Sequence, residues 1–178
     1  MKKALIIFAS LLIMTSAFAF EKGTIDLGGT ASLSIVKSDS DEKTLTTIIM
    51  RPQLGYFVAD NVCVDAIFIY ESQSYDDQTI SAIGIGLGGR YFYNNIYGGL
   101  DLQFRTTSVY EENSGDGSAS ANFLQPKMGV LVPLNPNVFL DFGASYQFGF
   151  GDRGGDAHGD NEASMFGINV GLHYFFKR

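Results

Sequence analysis

The sequence of 178 residues predicts an all-β fold, an eight-stranded antiparallel up-and-down β-barrel. After residue 19 the chain divides into eight segments in which apolar residues alternate with polar or small ones, which is the period of a β-strand with two different environments. Tight turns and longer polar loops alternate between these segments, as expected for a series of hairpins. The composition includes 21 Gly, 15 Phe and 9 Tyr but only 4 Pro, and no helical period follows residue 19.

Residues 1–19 have the pattern of a secretory signal peptide. Two lysines precede an uncharged run from Ala4 to Met14, and Ala17-Phe18-Ala19 provides the small residues that a signal peptidase recognises. The run is too short to cross a bilayer as a membrane anchor helix. We therefore expect cleavage before Phe20, export from the cytoplasm, and a single mature barrel domain at residues 20–178.

The net charge limits the possible partners, and the single cysteine excludes an internal disulfide. The net charge is −7, and removal of the two signal-peptide lysines leaves −9, which argues against nucleic acid as a partner. Cys63 is the only cysteine, so it cannot form an internal disulfide, and its place between two valines predicts a small buried side chain.

The connections define the strand limits. Three are tight turns of residues that tolerate left-handed or fixed backbone angles: Asp60-Asn61, Asn94-Asn95 and Asn135-Pro136-Asn137. The other four are longer and polar, at residues 38–43, 75–78, 111–118 and 152–161. The strands are then predicted at residues 23–36, 45–58, 62–74, 80–93, 96–109, 120–133, 138–150 and 163–176. Short turns at one rim and long loops at the other are typical of outer-membrane barrels.

Each predicted strand has one apolar face without charge. In chain order these faces include Ile25 and Leu27, Met50 and Leu54, Val64 and Phe68, Ile85 and Leu87, Leu100 and Leu102, Met128 and Val130, Phe142 and Tyr146, and Ile168 and Val170. The opposite faces contain glycines, amides and hydroxyls with five acids and four bases: Asp26, Arg51, Asp65, Glu71, Arg90, Asp101, Arg105, Lys127 and Asp141.

Two kinds of barrel fit this alternation. A periplasmic lipocalin-like binder would line a ligand cavity with the apolar faces, whereas a transmembrane barrel would turn them to lipid. Aromatic residues near the strand ends favour the membrane, because they match two interfacial girdles. They are Tyr56, Tyr91, Tyr93 and Tyr174 near the short turns, and Tyr70, Phe104, Tyr146 and Phe148 near the long loops.

The last predicted strand carries a recognisable motif. Asn169, Gly171, Tyr174 and Phe176 follow the pattern polar residue, glycine and two alternating aromatics, and Lys177 and Arg178 follow them. With this motif the chain resembles the small eight-stranded outer-membrane barrels of the OmpA/OmpX type. The resemblance implies a transmembrane β-barrel in a Gram-negative-type outer membrane. It also implies that the barrel assembly machinery recognises these four residues as a signal.

The resemblance further implies an interior closed by salt bridges. An isolated buried charge is strongly unfavourable, so the nine interior charges are expected to pair. We expect Arg90 or Arg105 to pair with Glu71, Asp65 or Asp101, and Lys127 to pair with Asp141. Eight strands enclose a space that side chains can fill, so an open pore is not the default.

The predicted long loops contain 12 of the 19 acidic residues. The last of them, from Gly151 to Glu162, offers oxygen ligands and glycines for Ca²⁺, but its spacing is not that of an EF-hand loop. We expect solvated loops, with no metal site and no cofactor.

An enzyme is a weaker alternative. Some eight-stranded outer-membrane barrels modify lipid A with a histidine near the outer rim, where this chain has only His158, and no nucleophile motif is present. Pro52 and Pro126 interrupt predicted strands, where a proline removes a ladder donor; lateral entry of a lipid tail or, more simply, a β-bulge would account for them. We predict no catalytic residues.

The sequence therefore predicts a monomeric, non-enzymatic integral protein of the outer membrane with a structural or surface-interaction role. Its partners are expected to be outer-membrane lipid, lipopolysaccharide and the barrel assembly machinery. A small gated pore, a lipid A-modifying enzyme and a periplasmic lipocalin-like binder remain alternatives.

Overall fold

The computed structural model describes residues 20–37, 44–75, 78–110, 117–150 and 164–176. The predicted signal peptide and the twelve loop acids lie outside these ranges, as does His158. The described residues form eight strands: β1 (Ile25–Lys37), β2 (Thr44–Ala59), β3 (Val62–Tyr75), β4 (Gln78–Tyr93), β5 (Ile96–Tyr110), β6 (Gly117–Pro133), β7 (Val138–Phe150) and β8 (Ser164–Phe176). Among these residues, no helix has the length and apolar character needed to cross a membrane.

The strands form a closed antiparallel barrel in sequence order, in which β8 returns to pair with β1. The predicted fold class is confirmed, and the largest difference in a strand limit is at β6, which begins at Gly117 rather than at residue 120. Two of the tight turns contain the left-handed backbone angles that the sequence predicts, since Asn61 and Asn94 adopt φ of 63° and 55°. In the third turn, the Asn135 side chain accepts hydrogen bonds from the N–H groups of Asn137 and Val138.

The apolar parity faces outward along the described strands. Ile168 is 72% exposed and Ile85 65% exposed, whereas Phe57 on the opposite parity is fully buried. The eight aromatic residues of the two predicted girdles are also exposed. A lipocalin-like ligand cavity requires the opposite orientation, so this alternative is wrong for the described barrel.

The strand prolines do not introduce the expected bulges. On either side of Pro52, Met50 pairs with Tyr70 and Gln53 pairs with Ile67, so the register is the same and only the ladder pairs between them are missing. The β6–β7 ladder has a similar gap at Pro126 without a register shift. The prediction of a bulge at these prolines is therefore wrong, because a missing N–H interrupts hydrogen bonding without adding a residue.

An aromatic plug fills the interior at the short-turn rim, the end of the barrel that carries the three tight turns. It consists of Phe20, Phe57, Cys63, Phe92, Tyr97, Leu131, Phe139 and Phe175. The Phe20 ring lies 4.6 Å from the Phe175 ring and 4.8 Å from the Phe92 ring, and the Phe20 carbonyl accepts a hydrogen bond from the Asn61 N–H. Cys63 is buried here as a free thiol, as predicted. The plug itself was not predicted from the sequence.

Candidate functional site

All nine predicted interior charges point into the barrel, where eight are buried and the Lys127 side chain is 11% exposed. They come from seven strands: Asp26 on β1, Arg51 on β2, Asp65 and Glu71 on β3, Arg90 on β4, Asp101 and Arg105 on β5, Lys127 on β6, and Asp141 on β7. The register places them above the aromatic plug in two groups, one next to the plug and one nearer the long-loop rim.

Arg90 is the centre of the group next to the plug. Its Nε and Nη2 donate to the two carboxylate oxygens of Asp65, both at 2.7 Å, and Nη2 also donates to Asp26 at 2.6 Å. With its amide oxygen turned toward Arg90, Gln53 accepts a further bond of 2.7 Å. The guanidinium carbon lies 5.2 Å from the centre of the Phe92 ring, so Arg90 connects three strands while it rests on the plug.

Lys127 pairs with a different acid from the one expected. Its Nζ lies 2.8 Å from Asp101 and 3.7 Å from Asp65. The predicted pairing with Asp141 is wrong because Asp141 is in register with Leu131, four residues nearer the short-turn rim. Asp141 instead accepts a hydrogen bond of 2.9 Å from the Tyr97 hydroxyl.

His173 belongs to the same group and was missed as an interior partner. Its Nδ1 lies 2.9 Å from both carboxylate oxygens of Asp26, and its Nε2 lies 3.3 Å from Asp141, without the alignment of a hydrogen bond. The ring is 1% exposed. Its parity on the last strand was the signal that could have found it, since it alternates with Tyr174 and Phe176, which face outward.

The group nearer the long-loop rim is built around Arg105. Its Nη1 donates to Glu71 at 3.1 Å, and its Nη2 donates to the side-chain oxygens of Gln103 and Gln147. Its guanidinium carbon lies 4.7 Å from the centre of the Phe123 ring.

Arg51 differs from the other interior cations. Within the described part of the chain it has no ion pair within 4 Å, and its buried Nε has no acceptor. It lines a small cavity of about 30 Å³ with Asp101 and Asn169, which has room for solvent but not for an organic ligand.

Glycines make the space for these side chains. Six of the large polar residues are in register with a glycine of the neighbouring strand: Asp65 with Gly55, Arg90 with Gly99, Asp101 with Gly88, Arg105 with Gly84, His173 with Gly28, and Tyr97 with Gly129. A Cβ on Gly55 would lie 2.7 Å from an Asp65 oxygen, and one on Gly99 would lie 2.9 Å from the Arg90 Cγ. The pairing of one large residue with one glycine therefore lets each charged side chain lie across the adjacent strand.

The residues of the predicted assembly signal lie on both faces of β8. Tyr174 and Phe176 face outward with their ring centres 4.5 Å apart. Asn169 donates a hydrogen bond of 3.1 Å to the Ser145 hydroxyl, and a Cβ on Gly171 would collide with the Gly29 carbonyl oxygen. Close packing against β1 is therefore enough to require glycine at position 171. Recognition of these residues by the assembly machinery stays a prediction.

A closed eight-stranded barrel with an apolar exterior and an ion-paired interior is the architecture of small outer-membrane barrels. The structure is similar to the N-terminal β-barrel domain of Pseudomonas aeruginosa OprF, with a TM-score of 0.54 and 11% identity over 88% of this chain and 100% of that one. It is similar to Neisserial surface protein A, with a TM-score of 0.54 and 17% identity over 88% of this chain and 98% of that one. No family model and no curated protein matches the sequence. The likeness confirms the resemblance at the level of the fold.

Proposed function

We propose that the protein is a monomeric, non-enzymatic barrel of the outer membrane with a structural or surface-interaction role. The observation that carries the proposal is the polarity of the wall: large apolar side chains face outward along the described strands, and charges face inward. Exposure of so large an apolar surface to water is unfavourable for a monomer, whereas the hydrocarbon of a bilayer can cover it. The aromatic girdles fit the two interfaces of such a bilayer.

The orientation follows from the rims. In the proposed orientation, the short turns and both ends of the described barrel face the periplasm, and the acidic segments between the other strand ends meet lipopolysaccharide at the cell surface. Clustered carboxylates near anionic lipid repel it unless divalent cations lie between them. The barrel assembly machinery is the proposed partner during insertion, through the outward-facing Tyr174 and Phe176.

A role without conduction or catalysis is supported by the interior. The aromatic plug closes one end, and the ion pairs fill the space above it. His173 is too deeply buried to reach a lipid substrate.

Single-cysteine variants test the membrane assignment. In a Cys63→Ala background, Ile168→Cys and Asn169→Cys place a fluorescent label on opposite faces of β8, one residue apart. A quencher buried in the bilayer should quench only the label at position 168. Equal quenching at both positions, or a protein in the periplasmic fraction that lacks heat-modifiable gel migration, would refute the proposal.

A small gated pore is the second candidate, and one observation favours it. The barrier above the plug consists of ion pairs and amides, which can exchange partners, and Arg51 has no ion partner among the described residues. Steady single-channel currents in planar bilayers would favour the pore, whereas a silent bilayer with folded protein present would favour the closed barrel.

A further inference from the structure

Residues 20–24, which precede β1, fold back into the short-turn end of the barrel. Phe20 is 2% exposed, although Glu21 next to it is exposed. The Thr24 N–H donates to the Glu21 carbonyl at 3.2 Å, and Gly23 has a φ of 90°. This is the pattern of a type II turn, whose third position needs a positive φ that glycine adopts without strain. The turn reverses the chain, so Phe20 enters the lumen.

Four rings from different strands form an aromatic pocket around the ring of Phe20. Its centre lies 4.6 Å from the centre of the Phe175 ring on β8 and 4.8 Å from that of the Phe92 ring on β4. Phe57 of β2 and Phe139 of β7 complete the aromatic pocket at 5.2 and 6.1 Å. Aromatic pairs attract at separations of about 4.5 to 7 Å. Strands on opposite sides of the barrel therefore meet through one ring, which belongs to none of the eight strands.

The β2–β3 turn holds the backbone of the same segment. The Asn61 N–H donates to the Phe20 carbonyl at 2.8 Å, and the Asn61 side-chain oxygen accepts a hydrogen bond of 3.1 Å from the Phe20 nitrogen. Asp60 accepts one of 2.9 Å from the Lys22 N–H. The side chains of this turn thus satisfy two backbone donors that lie outside the strand ladders.

The contacts of residues 20–24 are those of a short bound peptide. One aromatic side chain is anchored in an apolar pocket, and backbone groups bond to a turn beside it. The predicted cleavage before Phe20 leaves this segment with a free end. It is then joined to the barrel only through Thr24, so it can enter the pocket without passing a loop of chain through the barrel.

We propose that residues 20–24 are an intramolecular peptide ligand, and that the aromatic pocket and the Asp60-Asn61 turn form its binding site. The ligand class is a peptide that begins with phenylalanine, and its binding closes the short-turn end of the lumen. The proposal rests on the predicted cleavage before Phe20. It is independent of the membrane assignment, because these contacts lie inside the barrel or at its rim.

Trimming by an aminopeptidase tests whether the segment is bound. In the folded chain that begins at Phe20, trimming should be at least about tenfold slower than in a synthetic peptide of residues 20–30, because the enzyme needs a released end. Asn61→Gly removes the side-chain acceptor but keeps a residue that adopts the φ of 63°, so it should speed trimming about tenfold. Asn94→Gly is the matched control, since Asn94 has a φ of 55° in the β4–β5 turn. Rapid trimming of the parent, or equal rates in the two glycine variants, would refute the proposal.

A peptide added in trans tests the binding site itself. Phe20→Asp places a charge that the aromatic pocket cannot accept, so the pocket of the full mature chain becomes available. The peptide Phe-Glu-Lys-Gly-Thr with a fluorinated phenylalanine should then show saturable binding by fluorine NMR, and the parent, whose pocket is filled, should not bind it. Equal signals from the parent and the variant, or none from the folded variant at millimolar peptide, would contradict the proposal. Should Phe20→Asp fail to fold, the trimming of Asn61→Gly decides.

The mature N terminus is tested separately. Protein isolated from the cell envelope should have the intact mass of a chain that begins at Phe20. A mature chain that begins after Phe20 would overturn the proposal, because the aromatic anchor would be absent. That result would leave the membrane assignment untouched, since the quenching of labels on β8 decides it.

Discussion

The two ends of the barrel interior are built differently. Next to the short-turn rim, Arg90 makes ion-pair contacts of 2.6 and 2.7 Å directly over fully buried aromatic rings. Nearer the long-loop rim, Arg105 meets Glu71 at 3.1 Å and otherwise binds neutral amides, and the Glu71 side chain is 11% exposed. The difference indicates that the barrel is closed and stabilised mainly from its short-turn end, where water cannot solvate a charge that has lost its partner.

The largest effect is expected from the loss of Arg90. Arg90→Met leaves Asp26 and Asp65 buried without their common cation, so it should destabilise the barrel by about 3 to 5 kcal/mol. Arg105→Met should cost less, about 1 to 3 kcal/mol, because water can reach Glu71. Urea unfolding in micelles measures the free energy of unfolding of both variants.

A double variant separates the destabilisation caused by an unpaired buried charge from that caused by lost side-chain packing. Arg90→Met combined with Asp65→Asn should cost less than the sum of the two single changes, because it removes both partners of one pair. Equal losses for Arg90→Met and Arg105→Met would remove the distinction between the two ends.

The second effect concerns the aromatic plug. Phe20→Ala removes a buried ring that contacts the Phe57, Phe92 and Phe175 rings, and it should destabilise the barrel by about 3 kcal/mol. The ion pairs around Arg90 lie above the cavity that results, so planar bilayers should remain silent. Currents that appear only in this variant would show that the plug, rather than the ion pairs, is the barrier.

The third effect tests the space that glycines provide next to the plug. Gly99→Ala would place a methyl group 2.9 Å from the Arg90 Cγ and 2.6 Å from the Gly89 carbonyl oxygen, so it should cost about 1 to 3 kcal/mol. Gly98 is its matched control, because a Cβ there meets nothing within 4 Å on the outer face. Thermal unfolding should separate the two alanine variants, and equal midpoints would contradict the packing explanation.

The sequence was sufficient for the faces and the register of the strands but not for contacts inside the barrel. Alternation alone placed Asp65 and Arg90 inside, and a two-residue turn at Asn94-Asn95 determines that Arg90 lies opposite Gly99. The level of a side chain along the barrel axis depends on strand tilt, which the sequence does not reveal. The pairing of Lys127 with Asp141 was wrong for a different reason, since the short turn between β6 and β7 places Asp141 opposite Leu131, four residues from Lys127.

The dependence on strand tilt also explains why the aromatic plug was missed. Phe57, Phe92, Phe139 and Phe175 lie on the inward parity of four different strands, and only closure of the barrel shows that they meet at one level. His173 shares their inward parity and was not included among the predicted interior partners.

The smallest effect on stability is expected at the C-terminal aromatic residue. Phe176→Ala should change the stability of the folded barrel by no more than about 0.5 kcal/mol relative to Phe166→Ala, because both rings are exposed on the outer face of β8. Only Phe176 belongs to the predicted assembly signal, so only its variant should reduce the amount of folded protein in the outer membrane of living cells. Gly171 is unsuitable for this test, since any side chain there collides with β1 and disturbs closure directly. Folded yields in cells that fall equally for both phenylalanine variants would indicate that the machinery responds to the apolar face of β8 as a whole, and not to the residues from Asn169 to Phe176.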